Sequence, residues 1–327
     1  MMINKRINWI DQLKTMAIFF VLWGHFGYSD DFKTSLIYSF HMPLFFIISG
    51  FLFKPHKQSL TMSIKENFKS LGIPYLTFGG IILIIKAILS GKMYFVFILR
   101  YFTGDLFWFF PCLFIIRIIM NQIYVKNNCK LNIYILLIYF IIEPILSTIS
   151  IPLENLHLTY ISYAIFQAPF FMLGHILKDY LIKAKHHIYI GILSLIVLLL
   201  IMNYFNLPPS QIVHSYGDMS IRIVCALLGS LTCFHLTSLL KFIPTNYILV
   251  FSVGTAFIYP IHIILVYLYD IIDHSMNSII EPPYITFIIS VFVLSIFYIP
   301  TKYMLSKHYK LVGRKRAINF EKSVCTS

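Results

Sequence analysis

Asp11, Lys14 and His25 stand in a stretch, Trp9 to Tyr28 (WIDQLKTMAIFFVLWGHFGY), that otherwise reads as a membrane-crossing helix. Eleven steps of about 100° return the chain to within about 20° of where it started, so Lys14 and His25 share a helix side, roughly 16 Å apart. Asp11, three residues before Lys14, is within pairing reach. Ionisable groups at membrane depth cost several kcal/mol unless they are paired or face a wet cavity. A polar stripe here therefore predicts a shared polar interior. Histidine takes a proton near neutral pH, and lysine offers a compact positive charge. His25 alone would also suit a helix end among lipid headgroups; beside Lys14 and Asp11 it reads as a general base. Asp11 either keeps Lys14 charged by pairing or neutralises it during insertion.

Other segments contribute further polar groups. His41, in SLIYSFHMPLFFIISGFLF, is either a second wall of the site or an interfacial histidine. Ser49 and Gly50 read as a packing notch, since small residues let helices approach. Lys65 and Lys69 lie one helical turn apart, an arrangement that suits phosphates and also suits any lysine-rich loop. Arg117, inside an apolar run, must face the bundle interior, as a donor-binding group or as partner to an acid of the first helix. Glu143 either orients His25 or binds an acceptor, or is a carboxylate at a helix break beside Pro144. Trp108 either stacks on a bound ring or anchors at the interface. His262 either lines the cavity or is a satisfied core histidine. Lys86 and Arg222 snorkel toward an interface.

The elements that must position these groups follow from composition. With 58% hydrophobic and 12% charged residues over 327 positions, the chain reads as an all-α polytopic membrane protein. Its net charge of +13 marks sidedness and implies no nucleic-acid partner. The cysteines, Cys112, Cys129, Cys225, Cys233 and Cys325, lack metal-ligand spacing, so neither a metal site nor a disulfide framework is expected. The first apolar run reads as a retained helix, with no cleavage site after it. At about 20 residues per crossing, ten helices are expected: 8–28, 35–53, 72–90, 106–124, 131–149, 158–181, 187–205, 219–240, 246–270 and 284–305. A short re-entrant or interfacial piece fits within 91–120. Most lysines and arginines fall in the loops after even-numbered helices and at both ends, so both termini are expected to be cytoplasmic. Lys33, Lys92 and Arg100 fall on the opposite side with most of the acidic loop residues. No repeat or long linker interrupts 1–327, which reads as one domain whose basic tail, about 306–327, anchors at lipid headgroups.

Several of these segments resemble one family. The pattern I-D-x-L-K-x-x-A ending in G-H, then SFHMPLFFIISGF, IPYL, DLFWFFPCLFIIR and FIYPIHIILV, is similar in content and order to the membrane acyltransferase 3 family. The branch it looks like is that of fucose 4-O-acetylases and polysaccharide O-acetyltransferases. The resemblance implies a ten-helix enzyme of a bacterial-type cytoplasmic membrane. It would take acetyl from cytoplasmic acetyl-CoA, a substrate and not a resident cofactor, to a hydroxyl of a surface polysaccharide or lipid-linked glycan. The family's helix-one arginine and histidine would correspond to Lys14 and His25. The charge is kept; the bidentate fork is not. Its arginine-rich phosphate-binding segment would correspond to Lys65 and Lys69. A transporter or exporter of a polysaccharide, lipid-linked sugar or acyl metabolite is the competing reading, since an ionisable stripe also suits a permeation path.

Overall fold

The structure, a computed structural model, describes residues 6–27, 31–55, 59–90, 95–104, 106–126, 133–138, 142, 159–205, 216–275, 282–318 and 320. Among the described residues every regular element is helical and there is no strand. Helix α1 (Asn8–His25) is followed by α2 (Asp31–Leu52). Helix α3 (Leu60–Asn67) runs through a π-helical turn, Phe68–Gly72, into α4 (Ile73–Ser90), and the short α5 (Phe95–Thr103) precedes α6 (Phe109–Lys126). Next come α7 (Thr159–Ile176), α8 (Lys178–Lys183), α9 (Ile188–Phe205) and α10 (Tyr216–Leu236), which tightens into a 3-10 turn at Thr237–Phe242. Helices α11 (Thr245–Val253) and α12 (Thr255–Ser275) are separated at Gly254, and α13 (Pro283–Ile296) and α14 (Tyr298–Lys307) at Phe297. The expected single helices 246–270 and 284–305 are thus each two. The expected helix 131–149 lies largely outside the described residues.

Six stretches among the described residues are long and apolar enough to cross a membrane: Phe32–Leu52, Leu60–Leu89, Ile188–Phe205, Ser220–Phe242, Thr255–Ile272 and Pro283–Lys307. Helix α1 is absent from this set, against the expectation that it is apolar enough by itself. Its position explains why it need not be. Helices α2, α10, α11, α12 and α13 all pack around it, and Ala17, Ile18 and Leu22 are fully buried. The peripheral α9 shows the opposite pattern, with only 22% of it buried against 72% of the α2 window. It turns Tyr189, Leu193, Leu200 and Tyr204 outward. Apolar side chains go where lipid would touch them, and the polar helix goes inside.

Close backbone approach fixes α2 against α7. Gly50 lies on the Phe171 carbonyl and Gly174 on that of Ile47, so a Cβ at either position would have nowhere to go. The end of α1 is held separately. Gly27 turns the chain with φ 63°, the left-handed conformation that glycine tolerates. Lys33 donates from Nζ to the Phe26 and Gly27 carbonyls at 2.5 and 2.7 Å. It is 4% exposed, so it is a buried cap on the helix terminus and not the free loop base that the sequence suggested. Trp23 Nε1 donates to Thr286 Oγ1 at 3.2 Å, tying α1 to α13.

The segment after α14 also departs from expectation. Residues 308–318 fold back on the bundle as a strap: Ile318 N donates to the Leu305 carbonyl at 3.2 Å, and Val312 and Phe320 are buried. Gly313, at φ 72°, rests on the Ser70 backbone. Lys315 pairs with Glu66. This part of the tail is packed against protein, while Lys310, Lys315 and Arg316 stay exposed.

Lys33→Met removes two charge-assisted hydrogen bonds to buried carbonyls, each of the kind worth about 1.5–3 kcal/mol. Detergent unfolding should show a loss of about 2 kcal/mol or more. Unchanged unfolding would mean that the cap does not hold the end of α1.

Candidate active site

The C-terminal end of α1 carries His25 into a cluster of imidazoles. His25 and His262 of α12 have ring centroids 5.0 Å apart. Tyr38 of α2 places its hydroxyl 3.4 Å from His25 Nδ1, and its ring centroid is 5.1 Å from that of His41. The contact with His25 depends on Gly24, where a Cβ would come within 2.9 Å of the Tyr38 ring.

Two of these rings have their protons assigned by their surroundings. His41 Nδ1 donates to the Ile37 carbonyl at 2.8 Å, and His262 Nδ1 to the Tyr259 carbonyl at 2.5 Å. A carbonyl only accepts, so in each neutral ring Nε2 keeps its lone pair. His262 is 0% exposed, and its Nε2 has no hydrogen-bond partner among the described residues. A buried acceptor of this kind costs free energy unless a ligand or ordered water fills it. The cluster is a set of lone pairs suited to receive hydroxyl protons.

Lys14, farther toward the start of α1, lines a cavity of about 200 Å³ together with Ser49, Arg117 and Tyr259 among apolar side chains. Lys14 makes no hydrogen bond or ion pair among the described residues; its nearest charges are Asp11, Arg314 and Arg6. Among the described residues Arg117 reaches the Ser70 hydroxyl alone, at 3.5 Å, a weak bond at that length. Tyr259 joins the two regions, lining the cavity while its ring lies 6.1 Å from that of His262.

Asp11 is occupied by other partners than Lys14. Arg6 donates to both its oxygens, at 2.5 and 2.9 Å, and Ser252 donates to Oδ1 at 2.5 Å. Arg314, on the strap, belongs to the same group: burial disfavours its charge, Arg6 adds to that, and Asp11 opposes it. Arg6, Lys14 and Arg314 thus share one carboxylate, and the surplus positive charge calls for an anion.

The remaining sequence-named residues are dispersed. Lys65 and Lys69 are exposed on α3 and the π turn, with Lys69 Nζ 3.9 Å from Glu66; neither lines the cavity. Trp108 packs on Tyr163, centroids 4.2 Å apart, within an aromatic stack. Glu143 lies outside the described residues. Tyr38, Tyr259 and Arg314 join the site without having been picked out in the sequence. Tyr259 stands in the same FIYPIHIILV segment as His262, three residues before it, and so was the nearest to being found.

The sequence pattern of the acyltransferase 3 family, described as "Acyltransferase domain", matches residues 7–301. The chain therefore belongs to this family and is a membrane acyltransferase. No protein with a curated description and no solved structure matches it.

If the lone pairs at the imidazole end serve the reaction, His262→Gln should lower kcat of acyl transfer by about 10² while leaving thermal unfolding nearly unchanged. Tyr38→Phe, losing one long hydrogen bond, should cost roughly 2–10-fold. Full activity in both variants would remove the cluster from the chemistry.

Proposed function

We propose that the protein is an O-acetyltransferase of a bacterial-type cytoplasmic membrane, in the branch resembling fucose 4-O-acetylases and polysaccharide O-acetyltransferases. It moves acetyl from cytoplasmic acetyl-CoA to a hydroxyl of a surface polysaccharide or its lipid-linked precursor. In this reading ten helices cross, both termini are cytoplasmic, and acetyl-CoA is a substrate. The observation that carries the reading is the polarity of α1: unneutralised cations, Lys14 and its neighbour Arg314, at one end, three imidazoles at the other, and the Tyr259-lined cavity between.

The chemistry follows from that arrangement. The phosphates of CoA meet the cationic end, where charge-assisted hydrogen bonds are strongest. The pantetheine arm, uncharged and extended, follows the cavity wall past Tyr259 to bring the thioester to His25. The acceptor hydroxyl comes from the other side. Its oxygen attacks the thioester carbon as His25 takes its proton, work that typically contributes about 10² to 10⁴ in rate. The carbon–sulfur bond then breaks, and the imidazolium returns the proton to the departing thiolate. His262 and His41 offer their Nε2 lone pairs to neighbouring hydroxyls, orienting the acceptor. Asp11, held by Arg6 and Ser252, tempers the charge at the donor end without cancelling it. Neither substrate crosses the membrane; only the acetyl group changes sides.

The test is transfer of labelled acetyl from acetyl-CoA to glycan in membranes holding the purified protein. His25→Ala should abolish transfer, and glycan flux without acetylation would favour a transporter instead. Lys14→Ala should be severely impaired and Lys14→Arg partly active; an alanine variant equal to wild type would exclude Lys14 from donor binding. Arg314→Ala should raise KM for acetyl-CoA by about tenfold with kcat retained, whereas Arg316→Ala, an exposed neighbour, should not. A loss confined to kcat would show that Arg314 does not hold the donor.

A further inference from the structure

A second cavity, of about 400 Å³, opens on the other flank of α1. It is walled by α1, α2, α7, α8, α9 and α10, and among the described residues Ile48 alone is common to both cavities. Its size is that of a typical small-molecule pocket. Nothing in the acyl-transfer site uses it.

Its polarity is graded. The deep end, at Leu44 and Leu227, is hydrocarbon, and the shallow end carries Lys185, His187 and His235. His235 Nδ1 accepts the backbone N–H of His187 at 3.1 Å, so its ring proton sits on Nε2 and that nitrogen is a donor. Ser230, which also lines the cavity, has a buried hydroxyl with no partner among the described residues. It lies five residues before His235, about 7.5 Å deeper along α10. Among the described lining residues none is acidic. The adjoining segment carries Lys178, Lys183 and Lys185 against Asp179 alone, and the Lys178 ammonium stands 5.8 Å from the Phe51 ring in the cavity wall.

We propose that this cavity seats one anionic phospholipid from the leaflet on the lysine-rich side. Its phosphate meets Lys185 and His235, an ester carbonyl accepts from Ser230, and an acyl chain fills the apolar end. The basic rim, without a carboxylate among its described residues, selects a phosphate, and the depth of Ser230 below it matches a glycerol ester placed below a headgroup. Basic side chains at a membrane surface favour anionic lipid by about 1 kcal/mol each. The choice of leaflet rests on the sidedness read from the lysines; the site itself is independent of acyl transfer, so it stands or falls apart from the proposed reaction.

Native mass spectrometry of the full chain, released from detergent with phosphatidylglycerol or phosphatidylcholine of identical chains, tests this. The expected result is one retained phosphatidylglycerol, preferred over phosphatidylcholine. Lys185→Ala, at an exposed position, should weaken retention roughly fivefold. Ser230→Phe should remove both lipids by filling the cavity, and Lys302→Ala, exposed and remote, should change nothing. Equal retention of the two lipids with no effect of Lys185→Ala would overturn the proposal. So would displacement of phosphatidylglycerol by an equal concentration of a polyprenyl phosphate.

Discussion

Lys14 and His25 are polar groups on a helix wrapped by its neighbours in a membrane bundle, and the cost of burying them dictates what surrounds them. Exposed to lipid, either would penalise insertion by several kcal/mol. Wrapped by α2, α10, α11, α12 and α13, they instead face other polar groups and cavities. The bundle accordingly sets these few polar groups within an otherwise apolar core, and its rim is apolar as well. Helix α9, apolar all round, illustrates the rim.

Enclosure alone would not place a reactive ring. The end of α1 is fastened by a lysine cap on the Phe26 and Gly27 carbonyls and by the Trp23 bond to α13. Gly24 lets Tyr38 approach His25. Backbone carbonyls set the tautomers of His41 and His262. The groups that would act on a substrate thus rest on neighbours that have no part in the chemistry. At the other end, the strap carrying Arg314 is pinned to the π turn through Gly313 and Ser70, beside the Ser70 hydroxyl that Arg117 reaches. That turn joins the last residues of the fold to the start of α4.

Much of this arrangement could be read from the sequence where the physics is local. The alignment of Lys14 with His25 is helical periodicity, and the inward position of Arg117 is the same burial penalty applied to a single charge. The helical class followed from composition. Other features depend on contacts distant in sequence. Asp11 was expected to serve Lys14, but Arg6 and Ser252, the latter 241 residues away, take its oxygens. Arg314 looked like one base of a lysine-rich tail because nothing nearby in sequence signals the left-handed turn at Gly313 or its seat on Ser70. Lys65 and Lys69 have good spacing, yet they lie on the exposed face. Gly254 divides an apolar run that periodicity alone presents as continuous. Near its terminus Val250 and the Thr301 side chain leave no room for a Cβ at that glycine.

The central claim is that a CoA donor lies along α1 with its phosphates at the Lys14 end and its sulfur at the imidazole end. A structure determined with bound CoA tests it most directly. Phosphate density is expected against Lys14, Arg117 and Arg314, with a pantetheine arm passing Tyr259 to end within hydrogen-bond reach of His25. CoA bound on the outside of the bundle, with the cavity empty and closed toward His25, would contradict it.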